Sequence, residues 1–320
     1  MARRCRGPGV ALLLAALLGA NLSACDDGGP PPETAGTVVA GTGATVEGDS
    51  GFLFVPAGRI DVTVGAPLTR PLSGDEAADG AIHAPPAGGA FVPVAWTHDP
   101  AALPAPLEVA GPHPELTAVA LVADGTSYPL GSPYDVAAVG GTTDALVRVF
   151  YVAVPARPTK LLVSADYDGA TQTLEPASGQ IGPGKAGALY HPVPRLTASP
   201  CRPASPPRTR LPATAVRCRV HDVVVVPYVP GPGWAEPPEG WLVVHYRVDV
   251  DAADLRSVSL RLAGRAPVTV LDSRRGPHRA RGSVAFAGAT RGGELRLTVT
   301  LTPAGARRTT TVRRIATVTR

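Results

Sequence analysis

Methionine occurs once, at Met1, which excludes the thioether clusters that deliver copper. Cysteine occurs four times, at Cys5, Cys25, Cys201 and Cys218, and without clustered histidines these do not complete a tetrahedral zinc site. Aromatic residues make up 5% of the chain, which leaves little for a surface that stacks sugars or bases. Lysine is confined to Lys160 and Lys185, against 28 arginines among the 30 basic residues, a bias of the kind a GC-rich bacterial genome imposes. The sequence contains no Gly-x-Ser-x-Gly, no His-Glu-x-x-His and no Ser-x-x-Lys, so the hydrolase classes built on those motifs are excluded. Seven histidines are scattered; His83, His98, His113 and His191 stand in Pro- or Gly-rich segments with no second ligand at helical or hairpin spacing. Asp166-Tyr167-Asp168-Gly169 lacks the third acidic position and terminal glutamate of a calcium loop, and it reads as a strand followed by a turn. No metal and no cofactor is expected.

What the chain has in quantity is turn formers and alternation. Gly and Pro number 36 each among 320 residues, which argues against long helices. Strand-length apolar runs recur at Ile60 to Val64, Phe91 to Trp96, Leu116 to Val122, Leu146 to Val154 and Leu161 to Tyr167, with turn signals at Asp124-Gly125, Gly140-Gly141 and Asp168-Gly169. Further along, Leu242, Val244, Tyr246, Val248 and Val250 fall on one face of a strand and His245, Arg247 and Asp249 on the other. Val258, Leu260 and Leu262 alternate with Ser259 and Arg261, and Leu295 to Leu301 alternates with Arg296, Thr298 and Thr300. Such period-two patterns describe strands buried on one face. So many short strands must bury their apolar faces sheet against sheet, which predicts an all-β protein of two tandem antiparallel β-sandwiches. The expected divisions are an acidic sandwich over 37–181, a Pro-rich linker over 182–212 and a basic sandwich over 213–320. The sandwiches share an order of runs that suggests duplication: Val119 to Asp124 with Val268 to Asp272, Val149-Phe150 with Ala285-Phe286, and Leu161 to Tyr167 with Leu295 to Leu301.

The first twenty-five residues are the most specific part of the chain. Arg3, Arg4 and Arg6 form a basic start, Val10 to Ala20 is apolar but too short for a comfortable permanent span, and Leu22-Ser23-Ala24-Cys25 follows. This segment closely resembles the lipobox of bacterial lipoproteins. The resemblance implies that residues 1–24 are a cleaved signal peptide and that Cys25 bears the lipid, anchoring the protein on the extracytoplasmic face of the cell membrane. Residues 25–36, acidic and rich in Gly and Pro, would be a flexible spacer lifting the first sandwich away from the membrane. With Cys5 removed and Cys25 lipidated, Cys201 and Cys218 remain as partners for a disulfide in an oxidising space. Taken together, lipobox, spacer and sandwiches resemble the surface lipoproteins of actinobacteria that carry small immunoglobulin-like domains, which implies a role in adhesion or assembly.

Charge is divided along the chain. Residues 25–195 carry 7 basic and 18 acidic side chains, net −11, and residues 196–320 carry 20 basic and 8 acidic, net +12. The basic half can serve anionic partners or face its acidic neighbour. Arg247, Arg261 and Arg296 are placed on the solvent faces of predicted strands, and Arg307, Arg308, Arg313 and Arg314 cluster near the C-terminus. If those strands adjoin, they make an arginine platform for phosphate or carboxylate groups of an anionic envelope polymer. Export removes nucleic acid from the expected partners. The function expected is thus a non-catalytic binding or assembly module at the cell envelope. The alternatives are a structural subunit of a membrane complex whose oppositely charged domains dock on each other, or an envelope hydrolase working through dispersed residues.

Overall fold

The computed structural model describes residues 29–42, 45–102, 113–133, 148–191, 195–204, 216–237, 239–251, 253–288 and 292–319. The signal segment, the lipobox and Cys25 lie outside the described residues, as does Gly140-Gly141. No helix among the described residues is long and apolar enough to cross a membrane.

The protein is all-β with antiparallel sheets. In the first unit the strands are β1 (Val38–Ala40), β2 (Gly48–Val55), β3 (Gly58–Gly65), β4 (Ala90–Asp99), β5 (Thr117–Ala123), β6 (Thr126–Gly131), β7 (Arg148–Val154), β8 (Leu161–Tyr167), β9 (Ala170–Glu175) and β10 (Gln180–Gly182). They form two five-stranded sheets, in the orders β1-β7-β4-β3-β2 and β10-β9-β8-β5-β6. Alternation places Leu53, Ile60, Val62, Val92, Val94, Trp96 and Val152 of one sheet against Val119, Leu121, Val163, Ala165, Tyr167 and Leu174 of the other in a single core. The two Asp-Gly signals form their turns: Asp124 and Gly125 have φ of 47° and 86°, Asp168 and Gly169 of 48° and 76°, the left-handed pair that a tight two-residue hairpin requires. Asp166 accepts hydrogen bonds from the Gly169 N–H and the Thr171 hydroxyl, so that carboxylate is engaged within its own turn.

The other face of β4 and β7 is covered as well. Phe91, Ala95, Val149, Tyr151 and Ala153 pack against Leu72 and Ala77 from the 66–89 connection. That connection is held by Glu76, which takes a bidentate pair from Arg70 at 2.7 and 2.8 Å and the Ser73 N–H at 2.8 Å; these bonds bring its carboxyl down to about 2.

Part of the segment expected to be a spacer is tied to the first unit. Glu33 donates its N–H to the Ala84 carbonyl and Gly36 to the Ala153 carbonyl, and the Glu33 carboxylate meets His83 Nδ1 at 2.8 Å while Asp79 meets Nε2 at 3.1 Å. Residues 33–36 are therefore packed on the first unit, because backbone pairing and an ion pair compensate the loss of chain freedom there. The Glu33 and Asp79 carboxylates raise the His83 pKa. A histidine whose folded pKa is raised stabilises the latch fully below its unfolded value of about 6.5 and ceases to as pH rises through the folded value. Amide hydrogen exchange at Glu33, corrected for intrinsic rate, should accelerate with alkalinity through that titration, and His83→Gln should abolish the pH dependence.

The second unit contains β11 (Arg195–Ala198), β12 (Arg202–Pro203), β13 (Val216–Val226), β14 (Tyr228–Val229), β15 (Gly233–Trp234), β16 (Trp241–Val250), β17 (Ala253–Leu262), β18 (Thr269–Arg275), β19 (Arg279–Ala287), β20 (Gly293–Pro303) and β21 (Thr310–Thr319). Its main path is β17-β20-β21-β11-β13-β16-β19-β18. β11 turns the corner: Arg195 and Leu196 pair with β13, whereas Thr197 and Ala198 pair with β21. The path thereby folds into two layers, which enclose Leu242, Val244, Val248, Phe286, Leu260, Leu295, Leu297 and Leu301 in one core. The alternation read in β16, β17 and β20 is seen in burial, except that Val258 is half-buried and that Val243, on the outer face of β16, is covered by the first unit.

Two expectations about organisation are corrected. The segment 182–212 is not a free linker, since a 3-10 helix at Gly184–Tyr190 packs on the first unit and β11 and β12 belong to the second unit's sheets. The duplication match also fails in space. β5 and β7 lie in opposite sheets, whereas their matched counterparts β18 and β19 are hydrogen-bonded neighbours.

The units are joined through aromatic contacts. Tyr228, on the β14–β15 hairpin of the second unit, is 2% exposed and belongs to the core of the first. Its ring meets Tyr167 edge-on at 5.0 Å and Trp234 at 5.3 Å, its hydroxyl donates to Asp168 at 3.0 Å, and Trp234 Nε1 donates to the Tyr167 carbonyl at 2.8 Å. Beside them Ala186, Leu189 and Phe54 pack against Val224, Val226, Val243 and Trp241. A buried relay holds the 3-10 helix in place: Tyr190 donates to Gln172 at 2.5 Å, and Gln172 donates to the Phe54 carbonyl at 2.5 Å.

Candidate functional site

Cys201 and Cys218 form the expected disulfide, with Cα atoms 5.8 Å apart. Arg261 and Arg296 face each other across β17 and β20, and Arg313 stands one row away on β21, opposite Thr298. All three are exposed on the outer face of that sheet. The remaining candidates are not part of this trio. Arg307 and Arg308 sit in the exposed turn between β20 and β21. Arg314 points inward, is 5% exposed and donates to the Val216 carbonyl at 2.6 Å, since alternation that puts Arg313 outside puts its neighbour inside. Burial lowers its pKa. Arg247 lies on the outer face of the other sheet, so the expected single platform is divided between two faces.

On that second face Arg247 has company that sequence reasoning missed. The register aligns Arg219 of β13 with Arg247 of β16, Arg247 with Arg281 of β19, and Arg281 with Arg274 of β18. Four arginines thus stand side by side on four adjacent strands, a row of about 14 Å at the usual interstrand spacing. Like charges directly opposite each other destabilise a sheet by roughly a few tenths of a kcal/mol per pair, so folding alone gives no reason for the row. Arg247 is held by Asp249, with Nε–Oδ2 at 2.9 Å, and Arg279 reaches the same carboxylate at 2.6 Å. Arg274 has Asp272 at 3.8 Å. The side chains of Arg219 and Arg281 have no hydrogen bond or ion pair among the described residues.

The row has defined borders. On one side lies Asp249 between Arg217 and Arg279. On the other lie His245, paired in register with Ser283, and the bulge that carries His221 and Asp222. The Ser283 hydroxyl and His245 Nδ1 are 2.6 Å apart, and burial lowers the histidine's pKa, which favours its neutral form. Beyond this border the same sheet face turns apolar and disappears under the first unit, through Val224, Val243 and Ala285. The face therefore grades from interdomain contact, through a row of His245, Ser283 and Asp272, to an exposed arginine row and then to a row in which Arg217 and Arg279 flank Asp249.

Two other features bear on chemistry. Among the described residues no three His, Cys, Asp or Glu side chains gather to hold a metal. A concavity of about 390 Å³ at an end of the first sandwich mixes Glu47, Asp49 and Glu175 with Arg157 and Lys160. The contact between the units is aromatic and aliphatic, and an ion pair across it, Lys185–Glu236 at 2.8 Å, runs against the overall charge of each half. Comparison with protein-family models, with curated proteins and with solved structures finds no match to this chain.

Proposed function

We propose that this chain is a non-catalytic lipoprotein, anchored through Cys25 on the extracytoplasmic face of the membrane, whose second unit binds an anionic envelope polymer. The observation that carries the proposal is the register of Arg219, Arg247, Arg281 and Arg274. Guanidinium groups recognise phosphate and carboxylate through paired donors, and the two central strands supply both a held arginine, Arg247, and an unpartnered one, Arg281. The line of four arginines across adjacent strands suits a single file of anionic groups, with Asp249 and Asp251 paired to Arg217 and Arg279 on one flank and Asp222 and Asp272 on the other. The lipobox supports the location, and the immunoglobulin-like plan is proposed for the first unit alone. There β4 pairs with β7 in one sheet and β5 with β8 in the other, the pairing of second with fifth and third with sixth strands in such sandwiches. In the second unit the consecutive strands β13 and β16 are neighbours in one sheet.

The alternative of a structural subunit in a membrane complex draws support from the aromatic docking of Tyr228 and Trp234. That docking nonetheless leaves the arginine row exposed, and binding is the reading it favours. An envelope hydrolase would need a cleft that places substrate beside its nucleophile, and the Ser283–His245 pair stands on a sheet face.

The test is retention of the full chain, in detergent micelles, on immobilised long-chain polyphosphate. Four contacts on a linear polyanion should make affinity fall roughly fifty-fold between about 50 and 200 mM salt through counterion release. Arg219→Glu/Arg281→Glu should remove most of that salt-sensitive binding by this face while leaving the thermal transition within about 0.5 kcal/mol. Retention that ignores both salt and these substitutions would refute the proposal.

A further inference from the structure

We propose that the second sandwich is bivalent and bridges two polyanion chains, one on each outer face. This inference rests on the polyanion reading above. The first face carries the row Arg219–Arg247–Arg281–Arg274. The second face belongs to the opposite layer, where Arg261 and Arg296 stand in direct register, Arg313 lies opposite Thr298 and so diagonal to Arg296, and Arg202 of β12 pairs with Ile315 in the same row as Arg296. Arg202 and Arg313 are exposed, and no hydrogen bond or ion pair engages their side chains among the described residues. Hydroxyls of Ser259 and Thr298 fill the next row beside this array, adding neutral donors for phosphate or carboxylate oxygens.

The two faces point away from each other. Their strands pack back to back through a shared core of Leu260, Leu295, Leu297, Val244 and Val248, a layer about 10 Å thick. A straight chain lying on one face does not reach the other. The faces meet at two borders: the disulfide corner, where Arg202 and Arg219 follow Cys201 and Cys218, and the open edge of β17 and β18, where Arg256, Arg274 and Arg275 stand with Asp254 and Asp272. A single chain serving both arrays would have to double back through the thickness of the layer, so two separate chains, rather than one wrapped chain, are the inferred occupants. With Cys25 in the membrane, such a molecule would cross-link the polymer as well as tether it.

A two-chain capture assay tests this with the full chain in detergent. Polyphosphate on beads binds the protein, free sites are washed, and fluorescent polyphosphate is added. The intact protein should capture the second chain. Arg219→Glu/Arg281→Glu and Arg261→Glu/Arg296→Glu/Arg313→Glu should each still bind the beads but capture the second chain about tenfold less, because each keeps a single face. Equal capture by either one-face variant would overturn the proposal, since self-associated copies would then be bridging. Bead binding by the intact protein without capture would also overturn it while leaving the polyanion reading in place. Absence of bead binding would refute that reading itself.

Discussion

Tyr228→Ala should cost about 3–5 kcal/mol, the range for deleting a large buried aromatic ring, and the loss should register in the unit that does not contain the residue. Tyr228 belongs by sequence to the second half, yet its ring completes the core of the first sandwich beside Tyr167. Burial and its aromatic and acidic neighbours raise its pKa, which fits a hydroxyl that donates to Asp168 as a neutral group. Truncation leaves a cavity there and exposes the Trp234 ring, whose Nε1–H is bonded to the Tyr167 carbonyl. In calorimetry the intact protein should unfold with the two units coupled, and the variant should show two separated transitions, the first unit melting earlier. Tyr228→Phe keeps the ring and loses the bond to Asp168, for about 1 kcal/mol, and should keep the coupling. A single unshifted transition in Tyr228→Ala would show that the aromatic contact does not join the units.

Much of the strand pattern was legible because each strand buries one face and leaves the other to solvent. The period-two runs of β16, β17 and β20 name their inward and outward residues without any knowledge of neighbours. What could not be read was register. Arg219, Arg247, Arg281 and Arg274 come from four strands separated by insertions of different length, so no spacing in the sequence marks them as a row. A signal lies in the alternation around Arg217, Arg219, Arg279 and Arg281, which places them outward on the same face as Arg247. Arg314 shows the opposite difficulty. A pair of adjacent arginines must face opposite sides of a strand, and charge density alone had suggested one exposed cluster. The Pro-rich stretch was misjudged for a related reason: few apolar runs suggested a linker, yet β11 and β12 need only short backbone pairings with β13 and β21, which composition does not reveal.

The corner made by β11 explains why the second unit should depend on its disulfide. The chain leaves one sheet for the other within four residues, and each sheet receives two pairings from that strand. Such short pairings resist separation poorly on their own. Cys201 follows this corner and precedes β12 on the β21 side, while Cys218 lies on β13, so the bond clamps the two layers where the backbone alone holds them least. Closing a loop with a sequence separation of 17 should contribute about 3 kcal/mol, mainly by restricting the unfolded chain. Cys201→Ser/Cys218→Ser should therefore lower the second unit's stability by about that amount. Polyphosphate retention well below the melting temperature should change little, even though Arg219 is the next residue to Cys218. The arginine row is set by the register of β13, β16, β19 and β18 over a core of Leu242, Val244, Val248 and Phe286, and the clamp acts on a different edge of that core. A variant that keeps its stability would mean that the β11 pairings suffice to hold the corner. Loss of retention while the second unit remains folded would instead make the bond part of the binding face.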